Sequence, residues 1–349
     1  MIGVQYSGEF MVSQSQIYLN HNFFNPDNQT QHSAYILGFI TADGCLLNNN
    51  KELKFCISNK DIEILYYIRK SLSKKFDFPQ ICFSGAKNNL LGKIKKHGAL
   101  VSIAFSSQQM FHDLCLYGLI PRKTGREVYP QILKKDLKYH YLRGLLDGDG
   151  SIGVYQRAGT RYNIPKTGYD NRLSLYSSNK LFLSELKEYI PLLKNFKIYK
   201  IKEKNYFMLS SGNNSTLLNL RSKLYDDSML FLKRKKDIFF SIPEDKAFKI
   251  YGEYKTLKEW SHDNRCVVCY ITLWNRITKY HWDYEQALSL PPNPAYKKGG
   301  AIPLHLSIND QQAIIIKKRK LSGESYSKLA KEYSTTISII YYIVHKRNI

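Results

Sequence analysis

Residues 34–44 read AYILGFITADG, and residues 140–150 read HYLRGLLDGDG. These two stretches decide the fold. In the first, Ala34, Gly38 and Ala42 recur every four residues and so share one helix face; in the second, Gly144 and Gly148 do the same. Small residues at that spacing let two helix backbones approach closely. Ile36, Leu37, Phe39 and Ile40, and in the second copy Leu142, Leu145 and Leu146, supply apolar cover. The spacing predicts two helices packed against each other, closed by Gly44 and Gly150, residues suited to ending helices.

The likeness continues outward. Residues 53–72, LKFCISNKDIEILYYIRKSL, and 173–190, LSLYSSNKLFLSELKEYI, each alternate as a strand, pass through Ser-Asn-Lys and continue with helical spacing. GLIPRKTG (118–125) and MLFLKRKK (229–236) form a third pair. Three matches in one order predict that 31–135 and 136–245 are two copies of one α/β unit. The second copy carries extra residues, roughly 156–171, rich in Gly, Arg, Tyr and Asn, which read as a long hairpin tip.

Asp43 and Asp149 close the two helices. A carboxylate there faces the negative end of the helix dipole, at a cost of roughly 0.3–1 kcal/mol. Two acids held together by close packing also repel each other. Divalent cations between them would remove both penalties, and hard oxygen ligands suit Mg²⁺. Paired metals stabilise the attacking and leaving oxygens of a phosphodiester. An Asp-Gly after a single helix would be an ordinary turn; the second copy with shared neighbours favours the metal reading.

ILGFITADG and LRGLLDGDG resemble the two motifs of a single-chain LAGLIDADG homing endonuclease, over about residues 31–245. The resemblance implies an α+β fold of two pseudo-symmetric αββαββα units. Their saddle-shaped antiparallel sheets straddle double-stranded DNA, and the enzyme hydrolyses both strands with a stagger across the minor groove. It implies that Asp43 and Asp149 bind Mg²⁺ (Mn²⁺ or Ca²⁺ can take the same sites), beside the backbone carbonyl regions of Gly44 and Gly150. It further implies active-site roles for Asn59 and Asn179 and for Lys123 and Lys235. Each has a plainer reading: Asn favours helix N-caps, and lysines in a basic loop bind phosphate without doing chemistry. The sixth motif position departs, being Thr41 in one copy and Asp147 in the other, so the halves are expected to be inequivalent. His32, His112 and His140 lie at unmatched positions and read as structural.

The charge agrees with a polyanionic partner. The chain has 349 residues and a net charge of +23, spread over its whole length. Arg122, Lys233 and Arg234 beside the two lysines, and Arg157, Arg161 and Arg172 around the long hairpin, are the expected DNA contacts of the core. Cys45, Cys56, Cys82 and Cys115 stand singly among apolar residues and read as small core residues in a reducing compartment. No apolar run approaches the ~20 residues of a membrane span. Residues 1–16 lack a basic start followed by an apolar block, so no signal peptide is read. The expected location is the cytoplasm, or wherever the target DNA lies, without a membrane or obligate protein partner.

The remaining boundaries are an N-terminal extension (1–30), a helical accessory module (246–292), a linker (293–306) and a final module (307–349). Residues 252–290 read as three short helices held by Trp260, Trp274 and Trp282, resembling an accessory module of phage homing enzymes. His262, Cys266, Cys269 and His281 offer a zinc alternative on weak spacing. SYSKLAKEYSTTISIIYYIVHK (325–346) reads as helix-turn-helix, with Thr335, Thr336, Ser338, Ile339 and Tyr342 facing the major groove, Lys346 beside them, and Ile340 and Ile343 buried. A monomeric endonuclease is the leading expectation; retention of both acids favours it over a non-catalytic DNA-binding regulator of the same fold, while an RNA maturase shares the fold and charge and a dual role stays open.

Overall fold

The computed structural model describes residues 13–47, 51–84, 99–161, 164–201, 205–244, 247–291, 308–333 and 335–345, with backbone alone for 156–169 and Ser338. The chain folds as two compact units, Met1–Ala247 and Phe248–Ile349.

Among the described residues, α1 (Gln14–Tyr18) is the first element of the first unit. A first pass follows: α2 (Gln31–Asp43), β1 (Gly44–Leu46), β2 (Glu52–Ser58), α3 (Ile62–Leu72), β3 (Cys82–Ser84), β4 (Leu100–Ser106) and α4 (Gln108–Leu116). The second pass is α5 (Lys138–Asp149), β5 (Ser151–Arg161), β6 (Ile164–Ser177), α6 (Lys180–Tyr189), β7 (Lys197–Lys200), β8 (Phe207–Ser211) and α7 (Asn214–Tyr225), then α8 (Lys233–Phe240). Both passes run αββαββα. Their antiparallel sheets have equivalent strand orders, β1-β2-β4-β3 and β5-β6-β8-β7. The fold is α+β with two pseudo-symmetric units, as the duplicated sequence predicts.

Local chemistry explains the boundaries of α2. Thr30 Oγ1 accepts from Ser33 N–H at 3.1 Å and Ser33 Oγ accepts from Thr30 N–H at 2.8 Å, a reciprocal cap. Every residue from Ser33 to Ala42 is buried, which suits a helix that is apolar on all sides. In the first sheet, Leu53, Phe55 and Ile57 of β2 and Val101, Ile103 and Phe105 of β4 point inward at period two. Their neighbours Lys54 and Cys56 point out.

That alternation corrects the expected burial of the cysteines. Cys45, Cys56 and Cys82 are exposed and Cys115 is half-buried. Apolar neighbours in sequence lie on the opposite face of a strand, so flanking residues are a poor guide to burial there. Residues 13–30 do more than extend the chain. Leu19 and Phe24 are each 1% exposed, and Asn20 N–H donates to Leu72 O at 2.9 Å at the end of α3. The extra residues of the second half lengthen a hairpin: β5 and β6 pair from Ser151↔Ser174 to Arg161↔Ile164, whereas among the described residues β1 and β2 pair from Gly44↔Phe55 to Leu46↔Leu53.

The second unit holds two small clusters. The first comprises a hairpin, β9 (Phe248–Ile250) and β10 (Glu253–Lys255), then α9 (Leu257–Trp260), α10 (Tyr270–Trp274) and α11 (Tyr284–Ser289). The helices match the reading, but the hairpin is additional. Trp260 is fully buried and donates from Nε1 to Phe248 O at 2.9 Å. Trp282 is partly buried beneath Arg276, 4.5 Å from its ring centre. Trp274 is 45% exposed and is not a core residue. The second cluster is α12 (Asp310–Leu321), α13 (Tyr326–Glu332) and α14 (Ile337–His345), packed around Ile316, Leu329, Ile340 and Ile343. No described helix is long and apolar enough to cross a membrane.

Candidate active site at the end of the paired helices

Helices α2 and α5 touch backbone to backbone. A Cβ on Gly38 would lie 2.0 Å from Tyr141 O, and one on Gly144 would lie 1.9 Å from Tyr35 O. Only glycine permits that approach. Nearer the helix ends, a Cβ on Gly148 would meet Ala42 Cβ at 2.3 Å and Asp43 Oδ2 at 3.3 Å. The packing therefore delivers Asp43 and Asp149 side by side at the helix C-termini.

Both carboxylates keep an exposed side. Crowding by the protein on the other side is the main cause of their raised pKa values. Asp149 is pushed up to about 6, first by this desolvation and then by the charge of Asp43, against the pull of Lys123 and Lys235. Asp43 is raised by desolvation and drawn down by Lys235 and Lys123. Two crowded carboxylates that repel each other fit a divalent cation between them. Among the described residues no group of three or more His, Cys, Asp or Glu side chains is placed to hold a metal ion. Two hard oxygen donors at a helix end suit Mg²⁺, which keeps water or phosphate oxygens for its other positions.

The two lysines flank the acids unequally. Lys235 is 6% exposed, and its ammonium donates to Leu146 O, Asp147 O, Gly148 O and Gly150 O at 2.6–3.0 Å. The Gly150 carbonyl expected near the metal is thus engaged by Lys235. Desolvation lowers the Lys235 pKa to about 8. Lys123 is half-buried and donates to one carbonyl, Ala42 O, at 2.8 Å. Gly44 ends α2 with its N–H on Ile40 O.

The asparagines differ too. Asn179 caps α6, accepting from Leu181 N–H at 3.0 Å, and its amide donates to Glu127 O at 2.8 Å. Asn59 is exposed and opens a 3-10 turn; its N–H donates to Ala99 O at 2.9 Å while Ser58 caps the turn. Glu127 has no sequence signal. Its carboxylate accepts from Gly125 N–H at 3.0 and 3.1 Å and from Ser177 Oγ–H at 3.3 Å. It lines, with Thr41, Asp149 and Ser177, a cavity of about 10 Å³, the size of one water.

Behind the acids lies a second network that the sequence only hinted at. Asp147 Oδ2 accepts from Tyr35 O–H and from Leu232 N–H, each at 2.8 Å, while Oδ1 is buried without a partner. Desolvation pushes its carboxyl up to about 6. Arg143, 1% exposed, donates to Leu224 O at 2.7 Å and Leu230 O at 2.8 Å. His140 lies 3.0 Å from Arg143 Nη1. In the first half the matching residues are Leu37 and Thr41, and Thr41 Oγ1 donates to Leu37 O and accepts from Tyr141 O–H. Arg143 opposite Leu37 was the visible signal, since it puts a cation inside an apolar run.

Other expected contacts are dispersed. Arg122 is exposed in the left-handed region at φ 53°. Lys233 pairs with Asp237 at 2.7 Å. Arg234 is bound in bidentate fashion by Asp61 of the first half, at 2.6 and 2.7 Å, so it joins the halves. Arg172 is exposed on β6. Arg157 and Arg161 lie in β5, where only the backbone is described. Thr336 is exposed and Tyr342 half-buried at α14. Thr335 Oγ1 is buried rather than outward-facing. Ile339 is also buried, which corrects its expected outward placement. The exposed apolar residues of α14 are instead Ile337 and Tyr341. The Ser338 side chain, Ser334 and Lys346 lie outside the described atoms. Three of the four zinc candidates have separate partners: His262 meets Lys258 O, Cys266 meets Val268 O, and Cys269 meets Thr272 Oγ1; His281 is exposed at φ 51°.

No family model and no curated protein matches the chain. Similar solved structures include meganuclease I-SmaMI bound to uncleavable DNA, at 12% identity and a TM-score of 0.41, covering 60% of this chain and 87% of that one. The I-SmaMI LAGLIDADG homing endonuclease bound to cleaved DNA aligns at 12% identity and a TM-score of 0.41, covering 61% and 87%. The LAGLIDADG meganuclease I-AabMI bound to uncleaved DNA aligns at 14% identity and a TM-score of 0.40, covering 60% and 88%.

Proposed function

We propose that the chain is a LAGLIDADG-type, divalent-metal-dependent endonuclease that hydrolyses both strands of double-stranded DNA at a long asymmetric site. The observation that carries this reading is the convergence of Asp43 and Asp149 at the ends of two glycine-packed helices, each helix feeding an antiparallel sheet. Asp43 and Asp149 would hold Mg²⁺, with Mn²⁺ or Ca²⁺ as substitutes. The cation supplies charge stabilisation to the phosphodiester oxygens when bound. The lysines hold positive charge beside the acids, and Asn59 and Asn179 orient polar groups at the strand ends. The outward sheet faces, including Arg172, and the basic residues Arg122 and Lys233 would track the DNA, with a staggered cut across the minor groove.

Residues 246–292 and 307–349 would extend the contact along flanking DNA, the second as a helix-turn-helix in which α14 enters the major groove. The protein would act as a monomer, because one chain supplies both acids. The test is cutting of the rejoined DNA that flanks the coding segment, in Mg²⁺ and in EDTA. Linear product in Mg²⁺ alone is expected. Intact DNA under both conditions, with DNA binding retained, would favour a regulator instead.

A further inference from the structure

Resting on the endonuclease reading above, we propose that the two matched lysines have divided their labour: Lys123 contacts a scissile phosphate, and Lys235 is a positioning residue that caps α5 and does not touch DNA. An ammonium has three N–H donors. Lys235 faces four carbonyls at 2.6–3.0 Å, all at the end of its own motif helix, so its donors are fully committed. It is also buried at 6% exposure, which leaves a phosphate oxygen no approach. Its charge sits where the helix dipole is negative and offsets the placement of Asp149 at the same end.

Lys123 stands in the matched position with a different valence. Among the described residues its only hydrogen bond goes to Ala42 O at 2.8 Å, leaving two N–H donors. It is half-buried, and neighbouring Arg122 is exposed. The two environments have a structural cause. Asp147 accepts the N–H of Leu232, the residue before α8, and Arg143 holds Leu224 O and Leu230 O, so the segment carrying Lys235 is docked onto α5. Among the described residues Thr41 bonds to Leu37 O and Tyr141 O–H and gives the loop carrying Lys123 no such anchor.

The experiment compares Lys123→Met and Lys235→Met in three readouts. These are DNA affinity against salt in Ca²⁺, nicking rate of each strand in Mg²⁺, and melting temperature. Loss of a phosphate contact lowers the slope of log affinity against log salt by about one, and loss of one preorganised donor slows chemistry roughly 100-fold or more. Lys123→Met is expected to lower the salt slope by about one and slow one strand selectively, with a smaller drop in melting temperature than Lys235→Met, since one carbonyl rather than four loses its donor. Lys235→Met is expected to melt lower, keep the wild-type salt slope and slow both strands alike. If Lys235→Met does not fold, Lys235→Gln, which keeps two donors, takes its place. Equal slope losses and equal strand effects for both lysines would overturn the division. Wild-type protein that neither binds nor cuts DNA would instead overturn the underlying reading.

Discussion

The two halves share an αββαββα order and a strand order, yet they hold the segments that flank the candidate site differently. In the second half, Arg143, Asp147 and Lys235 bind the stretch from Leu224 to α8 onto α5. In the first half, Thr41 bonds back to its own helix and Lys123 makes one carbonyl contact. Duplication preserved what the site needs twice: a glycine for close packing, an acid at the helix end, and a lysine beside it. It let diverge what merely holds those parts. One half of the site is therefore caged, and the other is open.

The largest effect should come from the feature the halves share. Gly144→Ala places a methyl 1.9 Å from Tyr35 O and must separate the helices. Overpacking of this kind costs typically 1–3 kcal/mol or more, and against backbone the upper end is expected. A cooperative melt at the wild-type temperature would show that the helices are not in backbone contact.

Next comes the feature the halves do not share. Arg143→Leu copies the first half into the second and strands two buried carbonyls, at about 1–3 kcal/mol each. Chemical denaturation should show the loss, and adding Asp147→Thr should cost less than it does in the wild-type background. Strict additivity would mean that the two residues are independent.

A smaller effect should appear with pH. Burial, with a contribution from Arg143, lowers the His140 pKa from 6.5 to about 4. The folded state thus favours the neutral ring, whose Nδ1 can accept from Arg143. The stabilisation is complete above pH 6.5 and is lost as pH falls towards 4. His140→Gln should flatten the urea midpoint between pH 7 and pH 4.5 relative to wild type; an unchanged slope would remove His140 from the network. The smallest effect belongs to Asp61→Asn. Arg234 is half exposed, so the pair is worth only about 0.2–1 kcal/mol.

Much of this was legible in residues 34–44 and 140–150. Four-residue spacing of small side chains fixed the helix pair, and Asp-Gly fixed its ends. The cysteines misled because flanking apolar residues in a strand occupy the other face. Ile339 misled because the rotation of α14 depends on packing with α12 and α13, which its own sequence does not specify. Glu127 was invisible because its place beside Asp149 arises where a loop of one half crosses the strand end of the other. The difference between Lys123 and Lys235 was invisible for a related reason: a matched lysine gives no count of the carbonyls around it.

The measurement that bears most directly on the central claim is double-strand cutting by Asp43→Asn and Asp149→Asn in Mg²⁺, with DNA binding measured alongside. Both variants are expected to bind like wild type and to yield no linear product. Wild-type cutting by both would contradict the placement of the active site between these two acids.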